Sequence, residues 1–393
     1  ETMSASTDIV SVGVNDRKID LFEGQFAVPE GMAYNSYVLK DEKIAVFDTV
    51  DAAFGAEWLE NVRRATEGRQ VDYLIVQHME PDHSANIAAF MERYPGARIV
   101  ASAAAFPMMK NFFGTDYAAN RVIVKEGDRL ETGRHALRFV SAPMVHWPEV
   151  TVTYDETTRT LFSADAFGKF GAQDAANDEG WDCEARRYYF GIVGKFGAQV
   201  QALLAKAAKL DIRRICPLHG PVLETAAEIG HAVALYDTWS RYAAETKGVF
   251  VAYTSVYGHT RTVAEELVRL LAAKGAKVAV ADLARSDVYE AVEDAFRYSA
   301  LALATTTYNM GVFPKMREFI EHLTARNFQN RCVGFVENGS WAPSAAKKMK
   351  EMLSASKDLA ICPTTVTVRG AMAEATRGPL AQLAEELAAG ANA

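Results

Sequence analysis

The sequence contains few cysteines, and it lacks a hydrophobic run long enough to cross a membrane. None of its apolar stretches reaches the roughly 18 residues that a membrane helix needs. The first residues, ETMSASTDIV, lack the basic region and apolar core of a signal peptide. The four cysteines are far apart and form no CxxC pair: Cys183, Cys216, Cys332 and Cys362. The sequence therefore predicts no cysteine zinc or redox site, no membrane partner and a reducing, cytoplasmic setting.

An excess of basic charge is also missing. The net charge is -8 and the pI is about 5.6, whereas nucleic-acid-binding proteins are usually basic. Hydrophobic residues make up 49% and charged residues 23% of 393 residues. This composition is typical of globular proteins, and the length allows two or three domains. We expect no nucleic-acid partner.

Short β-rich segments, bounded by polar or turn residues, dominate the N-terminal half. They read NSYVLK, KIAVFDTV, VDYLIVQ, ARIVAS, RVIVKEG and ALRFVSAP. The stretch TVTYDETTRTLFSADAF predicts a β-hairpin. Helical periodicity fits residues 52–66, 84–94 and about 184–209. The pattern predicts sheets with helices on the outside.

A long amphipathic helix is predicted from about residue 223 to 246. Lys247 in the last turn and Gly248 after it are typical of a helix end. We place the domain boundary at this helix end, although no Pro/Gly/Ser-rich linker marks it. The predicted domains are residues 1–247 and 248–393.

The C-terminal domain alternates strands and helices. GVFVAY, AKVAVADLA, SALALATTTYN, RCVGFVENGS and LAICPTTVTVRG read as five strands with helical segments between them. This alternation predicts a doubly wound parallel α/β sheet, in which ligands bind beyond the carboxyl ends of the strands.

Seven potential metal ligands follow apolar runs in the N-terminal half. They are His78, Glu80, Asp82 and His83 in LIVQHMEPDHSANI, then His146, Asp165 and His219. Burying such groups is costly without a partner. Seven ligands suit two ions that share a carboxylate, and carboxylates mixed with imidazoles suit Fe, Mn or Zn. The alternative is a chance cluster in a hydrated loop. The other histidines, His135, His231, His259 and His322, are predicted to be solvated or ordinary packing residues.

The spacing H-x-E-x-D-H resembles the H-x-H-x-D-H of the metallo-β-lactamase superfamily. Glutamate at the second position is similar to the flavodiiron branch of that superfamily, in which it favours iron over zinc. The resemblance implies an αββα sandwich with a nonheme diiron site. It assigns His78, Glu80 and His146 to the iron nearer a flavin, Asp82, His83 and His219 to the other iron, and Asp165 to the bridge.

The loop in YTSVYGHTRTVAEEL joins a predicted strand to a helix and is rich in hydroxyl groups. Such a loop suits a phosphate, because helix N-termini present free N–H groups. It has neither the P-loop spacing nor GxGxxG, which argues against an NTPase or a nicotinamide dinucleotide site. A simple threonine helix cap is the alternative.

Residues 248–393 resemble flavodoxin, and the resemblance implies FMN held by three loops. The implied contacts are Thr254, Ser255, Val256, Tyr257, Gly258, His259 and Thr260, then Thr306, Thr307, Tyr308, Asn309 and Gly311, then Asn338, Gly339, Ser340 and Trp341. Trp341 is the expected cover for the flavin ring, and His259 is expected to contribute its backbone only.

The combined resemblance to flavodiiron proteins implies reduction of O2 to water, of NO to N2O, or both. Electrons are expected to reach two Fe ions through FMN from a separate donor, since the chain ends after LAQLAEELAAGANA with no CxxC pair. Rubredoxin, a flavin reductase or a deazaflavin cofactor could fill that role. A head-to-tail homodimer, or a dimer of dimers, would bring the flavin of one subunit to the irons of the other.

Two other functions are consistent with these residues. One is a zinc hydrolase that uses a metal-bound hydroxide; the other is an electron carrier without catalytic activity. The acidic segment at residues 172–182 is expected to be a solvated loop, with a lid over the metal site as the alternative.

Overall fold

The computed structural model describes residues 8–175 and 180–393. The chain forms two compact units, each described separately below. The N-terminal unit comprises the chain up to Tyr189 together with Ala198–Asp237. The C-terminal unit comprises Phe190–Gly197 and Thr238–Ala393.

Two sheets form the centre of the N-terminal unit, in the orders β1-β6-β7-β8-β9-β10 and β11-β12-β13-β14-β15. Two small antiparallel pairs, β2–β5 and β3–β4, accompany them. The strands are β1 (Ile9–Ser11), β2 (Val14–Asp16), β3 (Leu21–Phe22), β4 (Phe26–Ala27), β5 (Met32–Tyr34), β6 (Tyr37–Leu39), β7 (Ala45–Phe47), β8 (Tyr73–Ile75), β9 (Arg98–Ser102), β10 (Arg121–Val124), β11 (Arg129–Glu131), β12 (Ala136–Ser141), β13 (Thr151–Asp155), β14 (Thr160–Phe162) and β15 (Arg214–Cys216). The predicted hairpin is confirmed, because β13 and β14 pair antiparallel.

Apolar side chains from the two sheets meet in one core. Phe47 of β7 stacks on Phe162 of β14 with ring centroids 3.8 Å apart and an interplanar angle of 10°. Both rings are fully buried. The strands of this core read as continuous apolar runs because both faces of each sheet are covered.

Helices of the N-terminal part are α1 (Gly55–Ala65), α2 (Pro81–Ser84), α3 (Ile87–Arg93), α4 (Ala105–Phe113), α5 (Asp182–Tyr188), α6 (Gly197–Ala207) and α7 (Ala226–Ser240). The predicted single helix over 184–209 is wrong, because a π turn (Tyr189–Val193) and a 3-10 turn (Gly194–Phe196) separate α5 from α6. Helices α1 and α3 confirm the predicted helices at 52–66 and 84–94 within a few residues, whereas α4 was not predicted.

The predicted helix end at residues 247 and 248 is also wrong. Helix α7 ends at Ser240, and Lys247 and Gly248 lie in the next strand. A Cβ at Gly248 would lie 2.5 Å from the carbonyl oxygen of Lys277. The glycine therefore allows close approach of two chain segments and does not end a helix.

The C-terminal unit is a parallel sheet in the order β17-β16-β18-β20-β21, which confirms the predicted doubly wound architecture. Its strands are β16 (Thr246–Tyr253), β17 (Val278–Asp282), β18 (Tyr298–Tyr308), β19 (Gly311–Val312), β20 (Arg331–Asn338) and β21 (Leu359–Val368). Its helices are α8 (His259–Ala273), α9 (Val288–Arg297), α10 (Pro314–Ala325), α11 (Ala345–Met352) and α12 (Glu374–Asn392). The strand order reverses at β16, and such a switch point is the usual ligand site. In the part of the chain that the structure describes, no helix has the length and apolar character to cross a bilayer.

Candidate metal centre and cofactor cavity

All seven predicted metal ligands follow the end of a strand. His78 and Glu80 lie in the loop after β8, while Asp82 and His83 lie in the short helix α2. Pro81 begins that helix, where its missing N–H costs no hydrogen bond. The other three follow β12, β14 and β15: His146, Asp165 and His219.

The seven side chains form two groups, and within each group the potential ligand atoms lie within 4.8 Å of one another. The first ligand group is His78, Glu80, His146 and Asp165, and the second ligand group is Asp82, His83 and His219. The structure therefore brings together every residue that the sequence predicted for the metal site.

Asp165 contacts both groups with different oxygens. Its Oδ2 lies 2.9 Å from His146 Nε2 and 3.5 Å from His78 Nε2, whereas its Oδ1 lies 3.4 Å from His83 Nε2. The carboxylate is almost fully buried. A carboxylate in this position can bind two cations at once.

Imidazole nitrogens face each other within each group. His83 Nε2 and His219 Nε2 are 2.9 Å apart, and His78 Nε2 and His146 Nε2 are 3.3 Å apart. The Nδ1 atom of His219 donates to the carbonyl oxygen of Ala33 at 2.7 Å, so its Nε2 carries a lone pair. Two imidazole nitrogens this close need either a proton or a metal cation between them. Both carboxylate oxygens of Asp82 are buried without a hydrogen-bond donor among the described residues. The donor set therefore fits two cations.

Interactions within the site favour the charged forms of His146 and Asp165. Burial disfavours the charged form of His146, but hydrogen bonds to Asp165 and Glu80 outweigh it and raise the pKa of His146 to about 9. Burial likewise favours the neutral acid of Asp165, yet His78, His146 and His83 hold the pKa of this carboxyl well below its usual range. The Asp165 carboxylate is thus ionised near neutral pH and attracts cations.

Two buried carboxylates beside the metal ligands escaped the sequence analysis. Glu149 Oε1 lies 2.9 Å from His78 Nδ1. Asp48 Oδ1 accepts the backbone N–H groups of Gln77 and His78 at 2.7 and 3.2 Å. Burial raises the pKa of Asp48 to about 6. Asp48 directly follows β7, so the strand-end pattern that indicated the ligands could have indicated it too.

Aromatic rings enclose the second ligand group. Phe22, Tyr34 and Tyr188 place their ring centroids 5.5, 5.9 and 5.5 Å from that of His219. Trp147 lies edge-on to His78, with centroids 5.2 Å apart. These rings restrict the space around the ligands and separate them from bulk water.

The acidic segment at residues 172–182 is only partly described, because residues 176–179 lie outside the described ranges. On its N-terminal side, Gln173 Nε2 donates to Asn35 Oδ1 at 2.6 Å and Asp174 forms an ion pair with Arg17. These contacts attach that side of the segment to the N-terminal unit; the lid alternative remains a prediction.

A cavity opens beyond the carboxyl ends of β16, β18 and β20 in the C-terminal unit. Twelve predicted cofactor residues line it: Ser255, Val256, Tyr257, His259, Thr260, Thr306, Thr307, Asn309, Asn338, Gly339, Ser340 and Trp341. Tyr257 and Trp341 are 90% and 71% exposed, so flat apolar surface is available at its mouth.

Four predicted cofactor residues are absent from the lining described for this cavity: Thr254, Gly258, Tyr308 and Gly311. Thr254 is fully buried, and its hydroxyl is 2.6 Å from that of Thr305. Gly258 instead begins α8 with a φ of 93°, a conformation that glycine adopts readily.

Two lining residues, Met310 and Gly370, were missed. Gly370 follows β21 and exchanges two hydrogen bonds with the Asn338 side chain, at 2.8 and 3.0 Å. It could have been found by applying the strand-end rule to the fifth strand as well.

Comparison with known proteins agrees with this two-part organisation. Residues 32–220 match the model of the ODP family beta lactamase, and residues 251–379 match the flavodoxin model. A nitric oxide reductase from Moorella thermoacetica is 30% identical over 364 residues, covering 90% of each chain. An anaerobic nitric oxide reductase flavorubredoxin from Escherichia coli is 29% identical, over 87% of this chain and 73% of its own.

Among solved structures, the rubredoxin oxygen:oxidoreductase from Desulfovibrio gigas superposes with a TM-score of 0.92 at 24% identity. The match covers 99% of this chain and 98% of the Desulfovibrio chain. The likeness establishes the fold: a β-lactamase-like αββα sandwich and a flavodoxin-like sheet.

Proposed function

The chain belongs to the flavodiiron protein family, and from that premise we propose that it reduces O2 to water, NO to N2O, or both. The observation that carries this proposal is the position of Asp165, whose two oxygens face two separate ligand groups. A site for a single ion would not need that arrangement.

We assign one iron to His78, Glu80 and His146, the other to Asp82, His83 and His219, and the bridge to Asp165. The irons would supply open coordination positions and electrons to the gas, and FMN would return electrons to them singly. The chain itself orients the ligands. Glu149 and the Ala33 carbonyl hold the outer nitrogens of His78 and His219, so that both Nε2 atoms point inward.

The cavity of the C-terminal unit is the proposed FMN site. The N-terminus of α8 presents free N–H groups that suit the phosphate, and Thr260 adds a hydroxyl there. Trp341 and Tyr257 offer their exposed rings to the flavin. The apolar surface at the mouth would also suit an electron-transfer partner.

Three further features belong to the proposal. Electrons come from a separate donor such as rubredoxin. Two copies associate head-to-tail as a homodimer or a dimer of dimers, because the metal and flavin sites belong to different compact units. The functional domains are residues 1–247 and 248–393, and the four scattered cysteines, which form no CxxC pair, suit a cytoplasmic location.

A direct test replaces one ligand of the first group. His146→Asn should lose iron and abolish NO and O2 consumption by the photoreduced protein, while FMN content stays at one per chain. The matched control is His231→Asn, since His231 is exposed and pairs with Asp182 outside both ligand groups. Full activity of His146→Asn would contradict the ligand assignment.

A zinc hydrolase is the less favoured alternative. Glu80 places a hard carboxylate in the first ligand group, and such ligands suit iron better than additional imidazole does. Metal analysis of protein purified without added metal separates the two functions. Two irons per chain support the reductase, and two zinc ions per chain would support the hydrolase.

Light scattering that detects an active monomer would contradict the dimer.

A further inference from the structure

Glu149 is a buried carboxylate that belongs to neither ligand group. It is 2% exposed, and its Oε1 atom lies 2.9 Å from His78 Nδ1. The same oxygen accepts the Met79 N–H at 2.8 Å, and the Glu149 carbonyl accepts a hydrogen bond from Ser102 Oγ at 2.7 Å. Two contacts therefore hold Oε1 behind the imidazole, and the Ser102 hydrogen bond holds the backbone of the same residue, while Oε2 is buried with no hydrogen-bond partner among the described residues.

We propose that Glu149 is a positioning residue for His78 and that its charge makes the two metal positions unequal. This inference rests on the diiron function proposed above, and it concerns how the chain distinguishes two positions that share Asp165.

The first consequence concerns the tautomer of His78. An ionised carboxylate only accepts hydrogen bonds, so the proton of neutral His78 lies on Nδ1. The lone pair on Nε2 then points toward Glu80 Oε2 at 3.3 Å and Asp165 Oδ2 at 3.5 Å. His78 is fully buried, so bulk water cannot reach it to replace the lost hydrogen bond. Without Glu149, the tautomer of His78 with its proton on Nδ1 and its lone pair on Nε2 would lose the hydrogen bond that stabilises it.

Among the described residues, no carboxylate contacts an outer imidazole nitrogen of the second ligand group. The outer nitrogen of His219 donates to a neutral carbonyl, that of Ala33, at 2.7 Å. The outer nitrogen of His83 is buried and has no hydrogen-bond partner in the described ranges, 8–175 and 180–393. Each group has one carboxylate of its own, Glu80 or Asp82, and both share Asp165. Glu149 thus adds a negative charge on the side of the first group.

A buried negative charge favours the more highly charged metal ion beside it, since little solvent screens it. A carboxylate behind an imidazole also increases the basicity of the ligand. The Fe(III)/Fe(II) midpoint potential of the iron at His78 should therefore be lower than that of the iron at His219. In a titration with dithionite, which supplies one electron to each ferric ion, the second group accepts the first electron.

Two variants of the full-length protein separate position from charge. Glu149→Ala removes the hydrogen bond and should weaken binding of one of two Fe(II) ions about 10- to 100-fold. Glu149→Gln keeps an oxygen that can accept the Nδ1–H but removes the charge. It should retain two irons and raise the midpoint potential of the iron reduced last, with the other midpoint unchanged. Mössbauer spectra of ⁵⁷Fe-loaded protein should show altered parameters for one iron only.

The matched control is Asp155→Asn. Asp155 is an equally buried carboxylate whose Oδ2 lies 2.8 Å from His135 Nδ1, outside both ligand groups. This variant should leave both iron affinities and both potentials unchanged. FMN content and circular dichroism report whether each variant folds. If Glu149→Ala does not fold, the midpoint potentials of Glu149→Gln test the inference.

Unchanged potentials in Glu149→Gln would overturn the inference, as would equal shifts for both irons. Unchanged Fe(II) affinity in folded Glu149→Ala would overturn the positioning role. A wild-type protein that binds fewer than two irons would instead contradict the proposed function, so the two failures are distinguishable.

Discussion

Trp341 allows a quantitative test of the cofactor cavity. Its side chain is 71% exposed, so Trp341→Ala removes little packing and should change the free energy of unfolding by no more than about 0.5 kcal/mol. Removing an aromatic platform from under a flat heteroaromatic ring costs about 1–3 kcal/mol of binding free energy. The dissociation constant for FMN should therefore rise about 5- to 150-fold.

The assay is a titration of FMN-depleted protein with FMN, followed by the quenching of flavin fluorescence. Val280→Ala is the matched control, because Val280 is 50% exposed on β17 and does not belong to the cavity lining. Urea unfolding, followed by circular dichroism, measures the stability of each variant. Trp341→Phe keeps an aromatic ring and should retain most of the affinity.

Two results would refute the reasoning on Trp341. An FMN dissociation constant within twofold of wild type would mean that the ring does not stack on the flavin. A large loss of stability in Trp341→Ala would mean that the weaker binding reflects damage to the unit and not a lost ring contact.

Three further predictions concern the N-terminal unit. Phe47→Ala removes a fully buried ring stacked on Phe162 and should cost about 3–5 kcal/mol in urea unfolding of metal-free protein; a cost below 1 kcal/mol would contradict the core assignment. The hydrogen bond that His135 Nδ1 donates to Asp155 raises the pKa of His135, so their interaction is complete below about pH 6.5 and is lost as pH rises through the raised value; Asp155→Asn should destabilise more at pH 6 than at pH 9. Glu80→His replaces a hard ligand with an imidazole and should raise the Zn:Fe ratio bound from an equimolar mixture, measured by elemental analysis.

Much of the architecture was accessible from local sequence. The alternation of apolar strands and helical segments predicted the five-stranded parallel sheet, because such strands are buried on both faces and stand out from their polar neighbours. The seven candidate metal ligands were predicted because charged groups at the ends of apolar runs need partners. Each of these signals lies within about ten residues of chain.

Longer-range features were missed for the same reason. Helix α7 ends at Ser240 rather than near residue 246, and Gly248 serves a contact with Lys277, almost thirty residues away in sequence. The π turn between α5 and α6 leaves no distinct sequence pattern, since its residues also suit a helix. Such ends depend on packing that local propensity does not contain.

The sequence by itself determined which donors are available for the proposed metal pair, because the chemistry of histidine and carboxylate side chains is written into their identities. Only the tertiary structure decided which groups contact the outer nitrogens of the histidines. Glu149 lies 71 residues from His78 along the chain and yet contacts its outer nitrogen, while His219 meets the carbonyl of Ala33, 186 residues away. Distances between separate strand ends depend on sheet order and register, and these are properties of the whole fold.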